Sequence, residues 1–395
     1  MYSIVDPVKG LIEYTDKKRY LWIASILVPI TPLFVIWAYY AFSTPWVLLA
    51  PFVISYGFVP LLDHLLGEDT TNPPEEIVPL LDADEYYKNL LKITIPLHFV
   101  VLAASAWFAS AESLSWPWFL LFAMVVGMYS GFSINSAHEI GHKNSKADRL
   151  WARVSLAVCG YGHFCIEHNQ GHHTDVSTPE DPASSRMGEN IYAFALREIP
   201  GAAKRGWRAE NKRLERKGHS FWSVHNHILQ SYFITLVFQG GLVLMLGWPV
   251  LVFMLVHNVF AWYQLTSANY IEHYGLLRTK KENGKYERCQ PHHSWNANHI
   301  FSNLLTFQLE RHSDHHANPS RPYQSLRSFE NLPELPGGYF TMYLIAYIPP
   351  LWYKVMDNRL VNLPHVQGDF SKINAHPDKV DQLRAKFANT DMVSV

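Results

Sequence analysis

Cysteine is scarce in this chain of 395 residues, and the three present (Cys159, Cys165 and Cys289) form neither a CxxC pair nor an even framework. That excludes a disulfide scaffold and a thiolate-bound metal, and it fits a reducing compartment. Charge is sparse as well: 17% of residues are charged, where a soluble globular protein carries about a quarter. A net charge of −1 leaves no global field to steer nucleic acid, so none is expected as a partner. Also missing are a glycine-rich dinucleotide or flavin fingerprint, a four-cysteine iron site, internal repeats and low-complexity runs. What the chain has instead is apolar length and imidazole, with 48% hydrophobic residues, 14% aromatics and 21 histidines.

Six segments, at about 20–42, 46–66, 90–110, 116–137, 229–247 and 248–271, are apolar over the roughly 20 residues that a bilayer demands. The first is too long for a signal-peptide core and no small-residue cleavage site follows it, so it reads as a retained span. Pro29 and Pro32 should bend it, which a membrane helix tolerates when its neighbours satisfy the freed carbonyls. Ser115 and Pro117 offer the fourth span a cap and a first-turn proline. The turns at 43–45, 111–115 and near Gly247 contain no Lys or Arg, whereas 138–228 alone carries 13. Together with Lys17, Lys18 and Arg19, this asymmetry puts both termini and the bulky segments on the cytoplasmic side. The expected fold is an all-α polytopic membrane protein with six transmembrane helices and a histidine-rich cytoplasmic cap from 138–228 and 274–365, forming one membrane-bound domain over 1–395. Residues 149–166 and 339–353 are too short or interrupted for spans and are expected at the interface or inside the cap. The polar tail 366–395 is expected to be poorly ordered.

Histidine is placed in three compact groups, all on the cytoplasmic side. His138 and His142 stand at i and i+4; His168, His172 and His173 repeat that spacing with an adjacent residue; His312, His315 and His316 give i, i+3 and i+4. On a helix each set gathers on one side, the geometry for holding a cation. The fourth span, counted as a helix of about 40 Å through His142, overshoots the hydrocarbon layer, so the ligands belong at or just past the cytoplasmic membrane edge. Imidazole suits Zn, Cu, Fe and Ni. Eight imidazoles are too many for one four-coordinate ion, so two metals are implied. The first group also spells H-E-x-x-H, in which two histidines hold zinc and the glutamate is the general base of a protease; the other two groups argue against that reading, because one zinc needs only one further ligand. A metal transporter fits less well, since transporters place polar ligands near the bilayer midplane.

The three groups resemble the histidine boxes of integral-membrane desaturases and hydroxylases. Their surroundings are closest to the alkane 1-monooxygenases: His138-Glu-Ile-Gly-His142-Lys143, Glu167-His168-Asn-Gln-Gly-His172-His173 and Leu309-Glu-Arg-His312-Ser-Asp-His315-His316-Ala317. The segment Asn269-Tyr270-Ile271-Glu272-His273-Tyr274-Gly275-Leu276 resembles the fourth motif that marks alkane hydroxylases, and the likeness runs from about residue 20 to 360. It implies a six-helix bundle with a non-haem di-iron centre ligated by His138, His142, His168, His172, His173, His273, His312, His315 and His316. It also implies O2 as co-substrate, an n-alkane of medium length oxidised to a 1-alkanol, and electrons from a rubredoxin fed by a rubredoxin reductase. A bacterial inner membrane is the implied location, and a fatty-acyl desaturase using the same boxes is the alternative. Glu139, Glu167, Glu272 and Asp314 adjoin these histidines and suit the role of fixing imidazole tautomers.

An unactivated C–H bond offers nothing to polarise, so its cleavage belongs to the cofactor and the protein supplies ligation, a dry pocket and orientation. An alkane has no polar handle, so selection rests on shape. Ile134, Leu265 and Asn269, one or two turns above ligands, and Ser55 in the middle of the second span are the candidate tunnel residues. The seven Lys and Arg of 204–217, set against Glu210 and Glu215, are the candidate docking patch for an acidic donor.

Overall fold

The computed structural model of the chain describes residues 1–143 and 145–388. A hairpin of two antiparallel strands, Tyr2–Asp6 and Gly10–Tyr14, is the only sheet among them. Asp6 closes its turn by accepting the Val8 and Lys9 amides. The remainder is helical or irregular, as expected of an all-α membrane protein.

Among the described residues, six helices are long and apolar enough to cross a bilayer: Leu21–Phe42, Pro45–Leu66, Glu85–Ala111, Trp116–Gly141, His227–Leu246 and Pro249–His273. The third starts earlier than hydropathy indicates because its first turns are charged; Asp84 caps it by accepting the Tyr86 amide at 2.9 Å. The fourth runs through His138, where burial rather than apolar composition sustains the helix. Ser115 holds extended backbone ahead of Pro117 but makes no side-chain cap hydrogen bond. The second span is irregular, with a π-turn at Ile54–Phe58. Rows of Leu61, Val100, Leu236 and Leu244 face outward, as lipid contact requires. At the end of the bundle away from the histidines, Trp46 packs on Trp118 and Trp116 on Trp248, an aromatic band of the kind found at a membrane interface.

Two glycines bring the fourth and sixth spans together. A Cβ on Gly131 would lie 2.8 Å from Gln264 Cβ and 3.0 Å from the Ala261 carbonyl oxygen, and one on Gly127 would lie 2.9 Å from Phe260 Cβ. Small residues at such crossings let helix backbones approach where lipid gives no hydrophobic drive. This contact sets the ends of the two spans, at His138 and His273, side by side.

Neither ambiguous apolar stretch spans. Residues 149–166 fall in the short helix Lys146–Ala157 and the turn after it, and 339–353 breaks at Pro349 into Tyr339–Ala346 and Pro349–Val361. The cap is fastened by buried aromatics, among them Tyr270, Tyr274, Trp295, Tyr339 and Trp352.

The tail departs from expectation. Phe370, Ile373 and Leu383 are buried in the same core, Asn374 N–H donates to the Gly275 carbonyl, and His376 N–H donates to that of Met187. Helix Val380–Ala388 lies on this edge. A polar average hides a few apolar anchors and a backbone pairing that composition does not register. Residues 389–395 of that tail lie outside the described residues.

Candidate metal centre

Adjacent histidines on a helix point about 100° apart, so a neighbouring pair can serve two sites at once. The structure uses this twice. One group gathers His138, His142, His168, His173 and His315, and a second gathers His172, His273, His312 and His316; within each, the ligand nitrogens lie within 4.8 Å of one another. His172–His173 and His315–His316 each split between the two. A π-turn at His168–His172 makes this possible, because its wider pitch turns His168 toward His173, with their Nε2 atoms 3.0 Å apart. The second histidine box therefore does not act as a single face: His168 and His172, at i and i+4, belong to different groups. In the third box His312 and His316 do share a group, their Nε2 atoms 2.9 Å apart. His273, alone in sequence, arrives from the sixth span with its Nε2 3.2 Å from that of His312. All nine predicted ligands are thus brought together.

The donor set fits a pair of cations. Nε2 of His138, His142 and His172 is buried without a hydrogen-bond partner, a state that costs free energy unless something accepts the lone pair. Burial and the neighbouring imidazoles push His168, His173, His312, His315 and His316 well below the usual histidine range. They are therefore neutral, as metal ligation requires. His172 Nδ1 meets Asp181 Oδ2 at 2.9 Å, which places the ring proton on Nδ1 and frees Nε2 for a metal. Burial opposes both charges of this pair, yet Asp181 raises His172, while His172 and Arg205 hold Asp181 well below the carboxylate range.

A third cluster, Glu287, His292 and His293, fails the same test. His293 Nδ1 accepts the Gln290 amide at 2.9 Å, so its ring proton sits on Nε2, the atom facing Glu287. A neutral imidazole in that tautomer offers no lone pair to an ion there.

Of the four carboxylates next to the boxes, Glu139, Glu167 and Asp314 bind groups other than imidazoles, and Glu272 lies against one. Glu139 accepts the Tyr323 amide, Glu167 is gripped by Arg205, and Asp314 binds Arg321 and Arg327. Glu272 accepts the Tyr339 hydroxyl at 2.9 Å, and its other oxygen lies 3.4 Å from His312 Nε2. The histidines of the H-E-x-x-H segment, His138 and His142, share their group with three further histidines, whereas a single protease zinc needs only one further ligand. Asp181, the residue that does orient a ligand, lies in a loop without periodicity, and no sequence signal marks it.

Above the histidines is a narrow cavity whose lining surface is mainly apolar. Ile134, Leu265 and Asn269 line it, together with Phe164, Leu309 and Tyr343. Its floor includes His138 and His168 of one group and His312 of the other. Ser55 is not among the lining residues; it is buried in the second span with its hydroxyl 3.0 Å from that of Tyr129. On helix Ile191–Arg216 the basic segment divides. Lys204, Arg208, Lys212 and Arg216 are exposed at four-residue spacing, while Arg205 and Arg213 turn inward to Glu167, Asp181 and Glu210.

The chain matches the fatty acid desaturase family over residues 114–346. It is 51% identical over 377 residues to an alkane 1-monooxygenase of Pseudomonas putida, covering 95% of this chain and 92% of that protein. It is 50% identical over 376 residues to alkane 1-monooxygenase 1 of Alcanivorax borkumensis, with the same coverage. A more distant relative is the hydroxylase component of a Pseudomonas putida xylene/toluene monooxygenase, 30% identical over 224 residues, 56% of this chain and 58% of that protein. With nine imidazoles in two groups, seven of them buried, six apolar helices among the described residues and near-full-length likeness of this order, the chain belongs to the alkane 1-monooxygenases within the fatty acid desaturase family and is a membrane oxidoreductase.

Proposed function

We propose that this protein hydroxylates the terminal carbon of medium-chain n-alkanes with O2, giving 1-alkanols, in a bacterial inner membrane with the histidine groups facing the cytoplasm. Nine neutral or carboxylate-oriented imidazoles would hold two iron ions, five ligands on one and four on the other. Iron bound there would supply the redox chemistry with O2 that an unactivated C–H bond requires. The observation that carries the reading is the apolar cavity whose floor is made by histidines of both groups. Such a cavity would present a chain end to the metals by shape, since an alkane gives the protein nothing to hydrogen-bond. The relatives named as alkane 1-monooxygenases support the same substrate class.

The electrons would come from a rubredoxin, a small acidic protein kept reduced by its reductase, either separate or on a longer chain. Lys204, Arg208, Lys212 and Arg216 form a row of the right sign for such a partner. Purified protein loaded with iron, given reduced rubredoxin, O2 and n-octane, is expected to form 1-octanol. An alkene product would instead indicate a desaturase, and absence of any oxidised product from iron-loaded protein would refute the reading.

A further inference from the structure

Glu198 is a buried carboxyl with no cation of its own. It lies on helix Ile191–Arg216 and is 1% exposed. Its Oε2 accepts the Thr266 hydroxyl at 2.7 Å, and its Oε1 accepts from Asn269 Nδ2 at 3.3 Å. Both partners are on the sixth span, and Asn269 lines the cavity above the histidines. The ionisable groups facing Glu198 are Tyr161, Glu167 and Asp181. Arg205 binds both of those acids through its guanidinium, which leaves Glu198 as the acid among them without an ion pair.

Packing alone does not call for this arrangement. An isolated ionised carboxylate in a low-dielectric site is costly, and hydrogen bonds from a hydroxyl and an amide offset only part of that. A glutamine would satisfy the same two neighbours without charge. What a carboxyl adds is an exchangeable proton, one side chain away from a cavity in which Glu272 is the one carboxyl among the lining residues.

Hydroxylation has a use for it. Placing one oxygen atom of O2 in a C–H bond and reducing the other to water consumes two electrons and two protons. The electrons come from the donor, whereas the one carboxyl in the cavity lining, Glu272, is taken up by the Tyr339 hydroxyl and lies against His312. We propose that Glu198 holds and delivers these protons to the cavity beside Asn269, giving up one from its carboxyl and regaining one from solvent on the cap side for each proton consumed. Glu198 touches neither metal ligands nor substrate and acts through the cavity wall. Burial pushes its carboxyl up to about 7, against the hydrogen bonds from Thr266 and Asn269. The group is therefore protonated below that pH and empties as pH rises through it.

The inference rests on the hydroxylase reading above. Its test compares Glu198→Gln, which keeps both hydrogen bonds, and Glu198→Asp, which keeps a titratable carboxyl, with the parent. Infrared difference spectra of metal-free protein, parent minus Glu198→Gln, are expected to show a protonated-carboxyl band that disappears as pH passes about 7; the subtraction removes the signals of the other buried carboxyls, among them Glu139, Glu272 and Glu310. With iron loaded to the parent level, 1-octanol formation by the parent should fall as pH rises through the same value. Glu198→Gln should be slower by roughly 10²-fold, the scale of a lost proton-transfer group, and should lack that limb. Glu198→Asp should keep the limb. The absence of a titrating difference band, or a Glu198→Gln enzyme with the parent's rate and pH profile, overturns the inference. If the parent forms no alkanol at any pH, the hydroxylase reading fails instead, and the metal-free spectra still decide whether Glu198 titrates.

Discussion

Asp181 Oδ2 and His172 Nδ1 lie 2.9 Å apart with both side chains fully buried, and the other oxygen of the carboxylate takes a guanidinium N–H of Arg205 at 2.6 Å. The contact does two things. It holds the imidazole ring in the orientation that aims Nε2 at His273, His312 and His316, and it fixes the tautomer that leaves that nitrogen bare. Arg205 links the same carboxylate to Glu167, the residue before His168. One cation therefore braces the second histidine box from behind.

Asp181→Asn should consequently loosen a ligand without removing it. Loss of such a partner typically costs 10–100-fold in metal affinity or activity, and a change of about that size is expected in iron affinity measured by competition with a chelator. Asp175→Asn, at a more exposed partner of Arg205, should have a much smaller effect. Equal effects would show that Asp181 does not orient the ligand.

The close crossing of the fourth and sixth spans predicts that Gly131→Ala is disproportionately damaging. Its methyl would meet Gln264 Cβ and the Ala261 backbone, and overpacking of this kind costs about 1–3 kcal/mol. The melting temperature should fall and the iron-loaded fraction should drop with it, because the crossing sets the spacing of His138 and His273. Gly240→Ala has room, with only Leu236 Cδ1 at 3.7 Å, and should melt near the parent.

Much of the site could be read before any coordinates. Six spans follow from apolar length, and eight of the nine gathered histidines follow from three clusters, because i, i+3 and i+4 spacing is a local property. His273 has no local pattern and came only from resemblance to a family motif. The 5:4 division could not be read from spacing. It depends on the π-turn at His168–His172, whose ladder differs from an α-helix by one residue in hydrogen bonding but reassigns His172 to the other group. Asp181 and Glu198 are long-range partners, joined to the site by the folding of a loop and of a cap helix. The tail was misjudged because Phe370, Ile373 and Leu383 are few among polar residues.

If shape selects the substrate, Leu265→Trp should shift preference toward shorter alkanes while iron content stays at the parent level, since Leu265 lines the cavity away from the ligands. Competition between short and long alkanes, read by product ratio, checks this, and an unchanged ratio in Leu265→Trp would contradict it. Ser55, which does not line this cavity, belongs to the path only if Ser55→Trp moves the same ratio.

The donor is expected to meet the exposed row on helix Ile191–Arg216. Reversing Lys204, Arg208 and Lys212 to Glu should raise the rubredoxin concentration needed for half-maximal rate and flatten its salt dependence, because exposed charges are screened over about 10 Å at 0.1 M salt. Iron content and turnover with a small chemical reductant should not change. Parent-like donor kinetics at low salt would assign the row to membrane topology.

The central claim is a pair of metals shared among nine histidines, and the most direct test is the metal content per chain of protein purified in active form, by mass spectrometry, in the parent and in the adjacent-histidine variants His172→Ala and His173→Ala. Two iron ions per chain are predicted in the parent, with loss centred on the four-histidine group in His172→Ala and on the five-histidine group in His173→Ala. A single zinc and no iron in an active preparation would contradict the account.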